Sequence, residues 1–341
     1  MTRVRYLAPR RPDTSIAYQR YYLLGFEERG RVSMRGGPLL ARYAPSVDLK
    51  IRVAYRLARG PDQAHAGRYV AELDGRRVRF VVDAHDGRAV FDEEALAWSE
   101  IYFKANRWPG DDYDPRVVPI VNGNGLLDRG KIEALRRLRD APKEVDLAYV
   151  SNVWGGREHS LRVFERLAGL DCTKDLLAIF PRGFPPEEDE ANMARLRAAG
   201  IPVTREPVPP AELWRRLARA RVVPLRAGKH LCFSWRTIDL LAMGACIVFD
   251  AMPPPRWPVP LEAVADCGIA RPEDTEAAAE EEYDKLAPTI ERLLADESSA
   301  ADLRAAAAAY FDEHAAPGRV ADYVLATLKN PATSSTVTSS P

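Results

Sequence analysis

The sequence predicts an α/β protein of two domains, the second built on a doubly wound parallel sheet. Three observations carry this. The chain has 341 residues, more than one ordinary α/β core holds. Beyond residue 144, short apolar runs alternate with helical stretches at a spacing of ~20–30 residues, as βαβ units require. Between the halves, Ala141-Pro142-Lys143 reads as a linker, which places one domain at 1–143 and the next from 144.

The elements follow in order. Val4–Ala8 reads as a strand, and Thr14 caps a helix running to about Glu28. Asp48–Arg56 alternates apolar and polar residues and predicts a strand. Arg68–Glu72 and Arg77–Asp83 flank Asp74-Gly75, a hairpin signal. Glu93–Glu100 reads as helix and Glu100–Lys104 as a strand entering the Trp108-Pro109-Gly110 turn. Val117–Val121 is a further apolar run. The turn cluster Asn122-Gly-Asn-Gly125 and a charged helix at Lys131–Arg139 close the first half.

In the second half, strands are predicted at Val145–Val150, Leu176–Phe180, Ile201–Thr204, Val222–Leu225 and Cys246–Phe249. Helices between them fall at Glu158–Leu167, Glu188–Ala199, Pro210–Ala218 and Trp235–Met243. Three helices follow, Glu280–Leu294, Ser298–His314 and Gly318–Leu328. The Ser/Thr-rich stretch 330–341 has no apolar period and reads as a disordered tail.

Composition bounds the function. Lys plus Arg and Asp plus Glu both number 49, so the net charge is zero and no global field favours nucleic acid. The four cysteines (Cys172, Cys232, Cys246, Cys267) have no paired short spacing, which argues against a zinc site or disulfide scaffold and fits a reducing cytoplasm. No signal peptide and no 18-residue apolar run is seen, so a cytoplasmic protein is expected, with any work at a membrane peripheral. No Gly-x-Gly-x-x-Gly follows a strand, which disfavours a NAD-dependent dehydrogenase.

The candidate site centres on Phe233–Asp250. Ser234 can cap a helix that ends near Gly244, and the loop before it carries Arg226, Lys229 and His230. Free N–H groups, a hydroxyl and cations at a helix start suit a phosphate or diphosphate. Ser234, Arg236 and Thr237 are therefore candidates for binding diphosphate oxygens, and Asp239 is a candidate for a ribose or sugar hydroxyl. Arg157 follows a strand through Trp154-Gly-Gly, where a backbone can approach phosphate closely, and Arg182 stands at another strand end. Lys229 is a further phosphate cation. Base candidates in the first half are Asp13, just after the first strand, and the group Asp83, His85 and Asp86, in which a carboxylate can fix an imidazole tautomer. Tyr18, Tyr21 and Tyr22 either line a cleft for a sugar or pack in the core. No metal-ligand motif is present.

Ser234-x-Arg236-Thr237-x-Asp239-Leu-Leu-Ala-x-Gly244-Ala245-x-Ile-Val resembles the donor-site segment of GT-B glycosyltransferases, which reads roughly S-x-R-x-x-E-A-x-A-x-G-x-P-V. Tyr102-Phe103-Lys104 before Trp108-Pro109 looks like the end of the first domain in group-1-like, spore-maturation-type members. The resemblance covers about Val145–Asp250. It implies two Rossmann-like domains facing a cleft, an acceptor-binding one (1–143) and a nucleotide-sugar-binding one (144–316), with a helix returning to the first domain (317–329). It further implies transfer of a sugar from a nucleotide-diphosphate donor to a hydroxyl acceptor in glycoconjugate or surface-polysaccharide synthesis. No cofactor or metal is expected; the nucleotide sugar is a co-substrate. Two positions depart from the family pattern. Asp239 replaces Glu, and Leu231 stands where retaining members carry a second Glu. The alternatives are a nucleotide-sugar epimerase, which needs a buried acid pair in the cleft, and a non-catalytic sugar-binding or scaffold protein, favoured if Asp13, Asp83, His85 and Asp86 all point away from it.

Overall fold

The computed structural model describes residues 3–38, 44–153, 157–181, 186–226, 232–249, 256–261, 266–267 and 283–330. The first half runs β1 (Arg3–Ala8), a 3₁₀ turn (Thr14–Gln19), α1 (Arg20–Arg29), β2 (Arg31–Gly36), α2 (Val47–Arg56), β3 (Ala66–Leu73), β4 (Arg76–Asp83), α3 (Glu93–Trp98), β5 (Ile101–Lys104), β6 (Val117–Pro119) and α4 (Arg129–Arg137). Its six strands form one sheet in the order β2-β1-β3-β4-β5-β6. The β3–β4 hairpin turns on Asp74 and Gly75, both at positive φ (50° and 84°), as a tight hairpin turn requires. It inserts one antiparallel strand, β3, into a sheet whose other neighbours are parallel.

One expectation is corrected here. The stretch Asp48–Arg56 is helix α2, not a strand. Ser46 caps it, its Oγ accepting from the Leu49 amide at 3.2 Å, and Val47, Ile51 and Ala54 are buried at helical spacing.

The second half contains β7 (Val145–Asn152), α5 (Arg157–Ala168), β8 (Lys174–Ile179), α6 (Pro186–Ala198), β9 (Val203–Thr204), α7 (Pro210–Ala218), β10 (Ala220–Leu225), α8 (Trp235–Ala242), β11 (Ile247–Phe249) and β12 (Asp266–Cys267). All neighbours pair in parallel, in the order β12-β11-β10-β7-β8-β9. Central strands of such a sheet are covered on both faces, and Leu147–Val150 and Val222–Leu225 are buried without a break. The strand order reverses between β7 and β10. Their carboxyl ends therefore open a crevice, the place where doubly wound sheets take ligands.

The chain ends in α9 (Tyr283–Ala295), α10 (Glu297–Tyr310), a π turn (Phe311–Ala315) and α11 (Pro317–Lys329). Helix α11 lies on α1 of the first half. Tyr21 Oη donates to the Ala315 carbonyl at 2.6 Å, Tyr323 Oη to Pro119 at 2.9 Å, and Arg29 pairs with Asp322 at 2.6 Å. The approach is close at Gly25, where a Cβ would stand 2.0 Å from the Pro317 oxygen, so only glycine fits. Tyr21 and Tyr22 are wholly buried and belong to the core.

Candidate functional site

Helix α8 begins at the crevice between β7 and β10. Ser234 is extended (φ −70°, ψ 157°) at its N-cap but makes no side-chain cap. The Thr237 amide, which the cap would take, donates instead to the Ser234 carbonyl at 2.9 Å. Ser234 Oγ and Thr237 Oγ1 are both buried without a hydrogen-bond partner among the described residues, and Thr237 is 0 % exposed. A buried hydroxyl left unpaired costs about 1–3 kcal/mol. Two of them at the start of one helix are donors that an incoming acceptor can complete.

Arg236, half-buried beside them, donates from Nη1 to the Val150 carbonyl at the end of β7. Burial pulls its guanidinium pKa below the usual value. Arg226, at the end of β10, reaches across to Ser160 of α5.

The other end of α8 is tied to the first half. Asp239 is 8 % exposed; Asn124 Nδ2 donates to its Oδ1 at 2.8 Å and Trp214 Nε1 to its Oδ2 at 3.0 Å. Both oxygens are thus engaged within the protein, and burial raises the carboxyl pKa to about 6. Asp239, expected to meet a ribose or sugar hydroxyl, joins the two halves. Asn122 Nδ2 donates to the Phe233 carbonyl at 2.7 Å, just before the α8 cap. The turn 122–125 needs its glycines, since a Cβ on Gly123 would stand 2.2 Å from the Tyr21 ring and one on Gly125 2.0 Å from the Ala17 oxygen.

In the first half, Asp83 is 0 % exposed at the end of β4. It accepts from Lys104 Nζ (3.1 Å), Tyr102 Oη (2.9 Å) and the amides of His85 (2.9 Å) and Phe91 (3.3 Å). This carboxylate anchors the 84–91 loop. His85 Nδ1 accepts from the Gly87 amide at 3.0 Å, so the neutral ring carries its proton on Nε2 and offers a donor there. Burial, then the neighbouring His65, lowers the His85 pKa. Asp13 caps the 3₁₀ turn, accepting from the amide (2.9 Å) and hydroxyl of Ser15. Asp86 is half-exposed and takes the thiol of Cys232, a residue of the opposite half two places before Ser234. Burial, with Asp86 next, raises that thiol's pKa.

The structure thus brings together Ser234, Arg236, Thr237 and Asp86 around the start of α8. Arg182, Lys229, His230, Leu231 and Asp250 lie outside the described residues, as does the side chain of Arg157, which opens α5. Sequence reasoning missed His65, Asn122, Asn124, Cys232 and Trp235. His65 is held by Gln19, whose Nε2 donates to its carbonyl at 2.8 Å and to those of Ala64 and Val82 at 3.0 and 3.1 Å. Among the described residues, no group of three His, Cys, Asp or Glu side chains could hold a metal ion, and no helix is long and apolar enough to cross a membrane.

No family model and no curated protein matches this chain. Solved structures similar to it in outline include glycosyltransferases. The Anabaena protein HepE, in complex with UDP and glucose, shares 12% identity over 96% of this chain and 100% of its own, with a TM-score of 0.49. A glycosyltransferase from Rickettsia africae shares 10% over 92% and 80%, at 0.44. MurG from Acinetobacter baumannii shares 13% over 91% and 77%, at 0.39. These are likenesses of outline.

Proposed function

We propose that this protein is a glycosyltransferase that moves a sugar from a nucleotide-diphosphate donor to a hydroxyl acceptor, in glycoconjugate or surface-polysaccharide synthesis. The carrying observation is the pair of buried hydroxyls of Ser234 and Thr237 at the start of α8, without a partner among the described residues, where the strand order reverses. Diphosphate oxygens supply the acceptors these groups lack. The helix N-terminus and Arg236 meet the charge that grows on the leaving diphosphate, without calling on a metal.

In the reaction, the acceptor oxygen bonds to the anomeric carbon while the bond from that carbon to the diphosphate oxygen breaks, its electron pair leaving with the diphosphate. The acceptor proton passes to a base. Of the four candidates, Asp83 is saturated by donors, His85 offers a donor at Nε2, and Asp13 holds Ser15. Asp86 is the carboxylate that reaches the start of α8, through Cys232, and is assigned as base. A single displacement of this kind inverts the anomeric configuration. The epimerase alternative is weakened because the buried acids Asp83 and Asp239 sit apart, each taken up by its own donors.

Work at a membrane face is supported by α2. Three exposed large apolar side chains, Leu49, Tyr55 and Leu57, lie on it or at its C-cap. Arg52, Arg56 and Arg59 are exposed among them, a mixture that suits an anionic lipid surface.

The test is thermal stabilisation by UDP, GDP, CMP and ADP, each with and without Mg²⁺, with NAD as control. A ligand that binds the native state raises the melting temperature by mass action. A shift with one diphosphate that needs no Mg²⁺ is expected. Silence across the panel would refute the reading.

A further inference from the structure

A run of aromatic rings leads away from the start of α8 into the first half. Trp235, the first residue of the helix, meets Tyr18 with ring centres 4.5 Å apart. Tyr18 meets His65 at 4.7 Å, His65 meets His85 at 5.0 Å and Phe91 at 5.1 Å, and His85 meets Phe91 at 4.4 Å. No pair is stacked flat; the interplanar angles lie between 36° and 81°. All five residues are half-buried, unlike the core aromatics Tyr6, Tyr69, Phe80 and Phe103, each 0 % exposed.

Burial disfavours charge on the polar atoms along this run. Burial lowers both imidazole pKa values and pushes the Tyr18 hydroxyl up to about 12. His65 Nδ1 is buried without a hydrogen-bond partner among the described residues, and Asp13 and Asp86 lie close enough to bear on Tyr18. Aromatic faces with neutral donors and flanking carboxylates match the C–H face and the hydroxyl edge of a pyranose ring. The same carboxylates repel an anionic sugar.

We infer that Tyr18, His65, His85, Phe91 and Trp235 form an acceptor platform for a neutral saccharide, running from the diphosphate site on α8 into the first half. The inference rests on the glycosyltransferase reading and narrows its acceptor class.

The test is saturation-transfer NMR on the intact protein with UDP or GDP present. The probes are methyl glucopyranoside, methyl galactopyranoside, methyl mannopyranoside and their neutral disaccharides; glucuronate and uridine are controls. Expected is transfer to pyranose C–H protons of at least one neutral probe, weakened about tenfold in Tyr18→Ala and in Phe91→Leu and kept in Tyr18→Phe. Absence of neutral-saccharide binding, equal binding by both ring-removing variants, a preference for glucuronate, or displacement by uridine would each overturn the platform. Calorimetry with UDP or GDP alone separates the two readings. If diphosphate binds and no saccharide does, the platform fails and the donor site stands; if neither binds to the folded protein, both fail.

Discussion

Helix α8 carries two kinds of buried polar group, and they contrast. Toward its C-terminal end, Asp239 has a donor on each oxygen, one from α7 and one from the first half. On its first turn, Ser234 Oγ and Thr237 Oγ1 have none among the described residues. Asp83, at the end of β4, falls with Asp239: four donors take its carboxylate. A polar group saturated inside the protein holds structure, whereas one buried and unsaturated costs free energy until a ligand completes it.

The largest effect that contrast predicts is at Asp83. Replacing it by Ala leaves Lys104 buried and unpaired, and urea unfolding should show a loss of about 3–5 kcal/mol. A loss below about 1 kcal/mol would mean that Asp83 holds nothing, and the anchor would have to be reassigned.

Next is Asp239. Burial raises its pKa from 3.8 to about 6, so the folded state binds the proton more tightly than the unfolded chain. Its contribution to stability is therefore fullest at low pH, falls as pH climbs through that window and is flat above it. The difference between wild type and Asp239→Asn should trace this fall, on the order of 3 kcal/mol, in unfolding curves taken between pH 4 and 7. A pH-independent difference would remove the titrating joint from the account.

The smallest effect concerns the surface. Arg52→Glu with Arg56→Glu should lower binding to anionic vesicles by about tenfold or more, at roughly 1 kcal/mol per basic residue, with only a small drop in melting temperature from the lost Arg52–Asp48 pair. Equal sedimentation with vesicles by both proteins would end the membrane proposal.

The second half was legible because buried parallel strands leave uninterrupted apolar runs, and α7 and α8 were placed almost to the residue. Helix α2 was misread because Leu49, Ile51, Val53 and Tyr55 alternate as a strand would, while Val47, Ile51 and Ala54 give the helical stripe that packing selected. Strand β2, with Arg31 and Arg35 in a six-residue span at the sheet edge, offers no apolar run to detect. In the site, the α8 start was visible from a hydroxyl and an arginine after an apolar strand. The burial of Asp83 with Lys104 was not, because the two are 21 positions apart and meet only through strand pairing. His65 stands alone between two alanines, and Asn122 and Asn124 read as turn residues. Their roles come from the opposite half of the molecule, which no local pattern encodes.

The most direct measurement is calorimetric titration of the stabilising nucleoside diphosphate into wild type and the double variant Ser234→Ala/Thr237→Val. If the first turn of α8 is the diphosphate site, the variant binds at least about tenfold more weakly, since two hydrogen bonds to a charged group are lost, while the ligand-free protein is as stable as wild type or more so. Equal affinity in the two proteins would contradict the account and place the ligand, and with it the reaction, elsewhere.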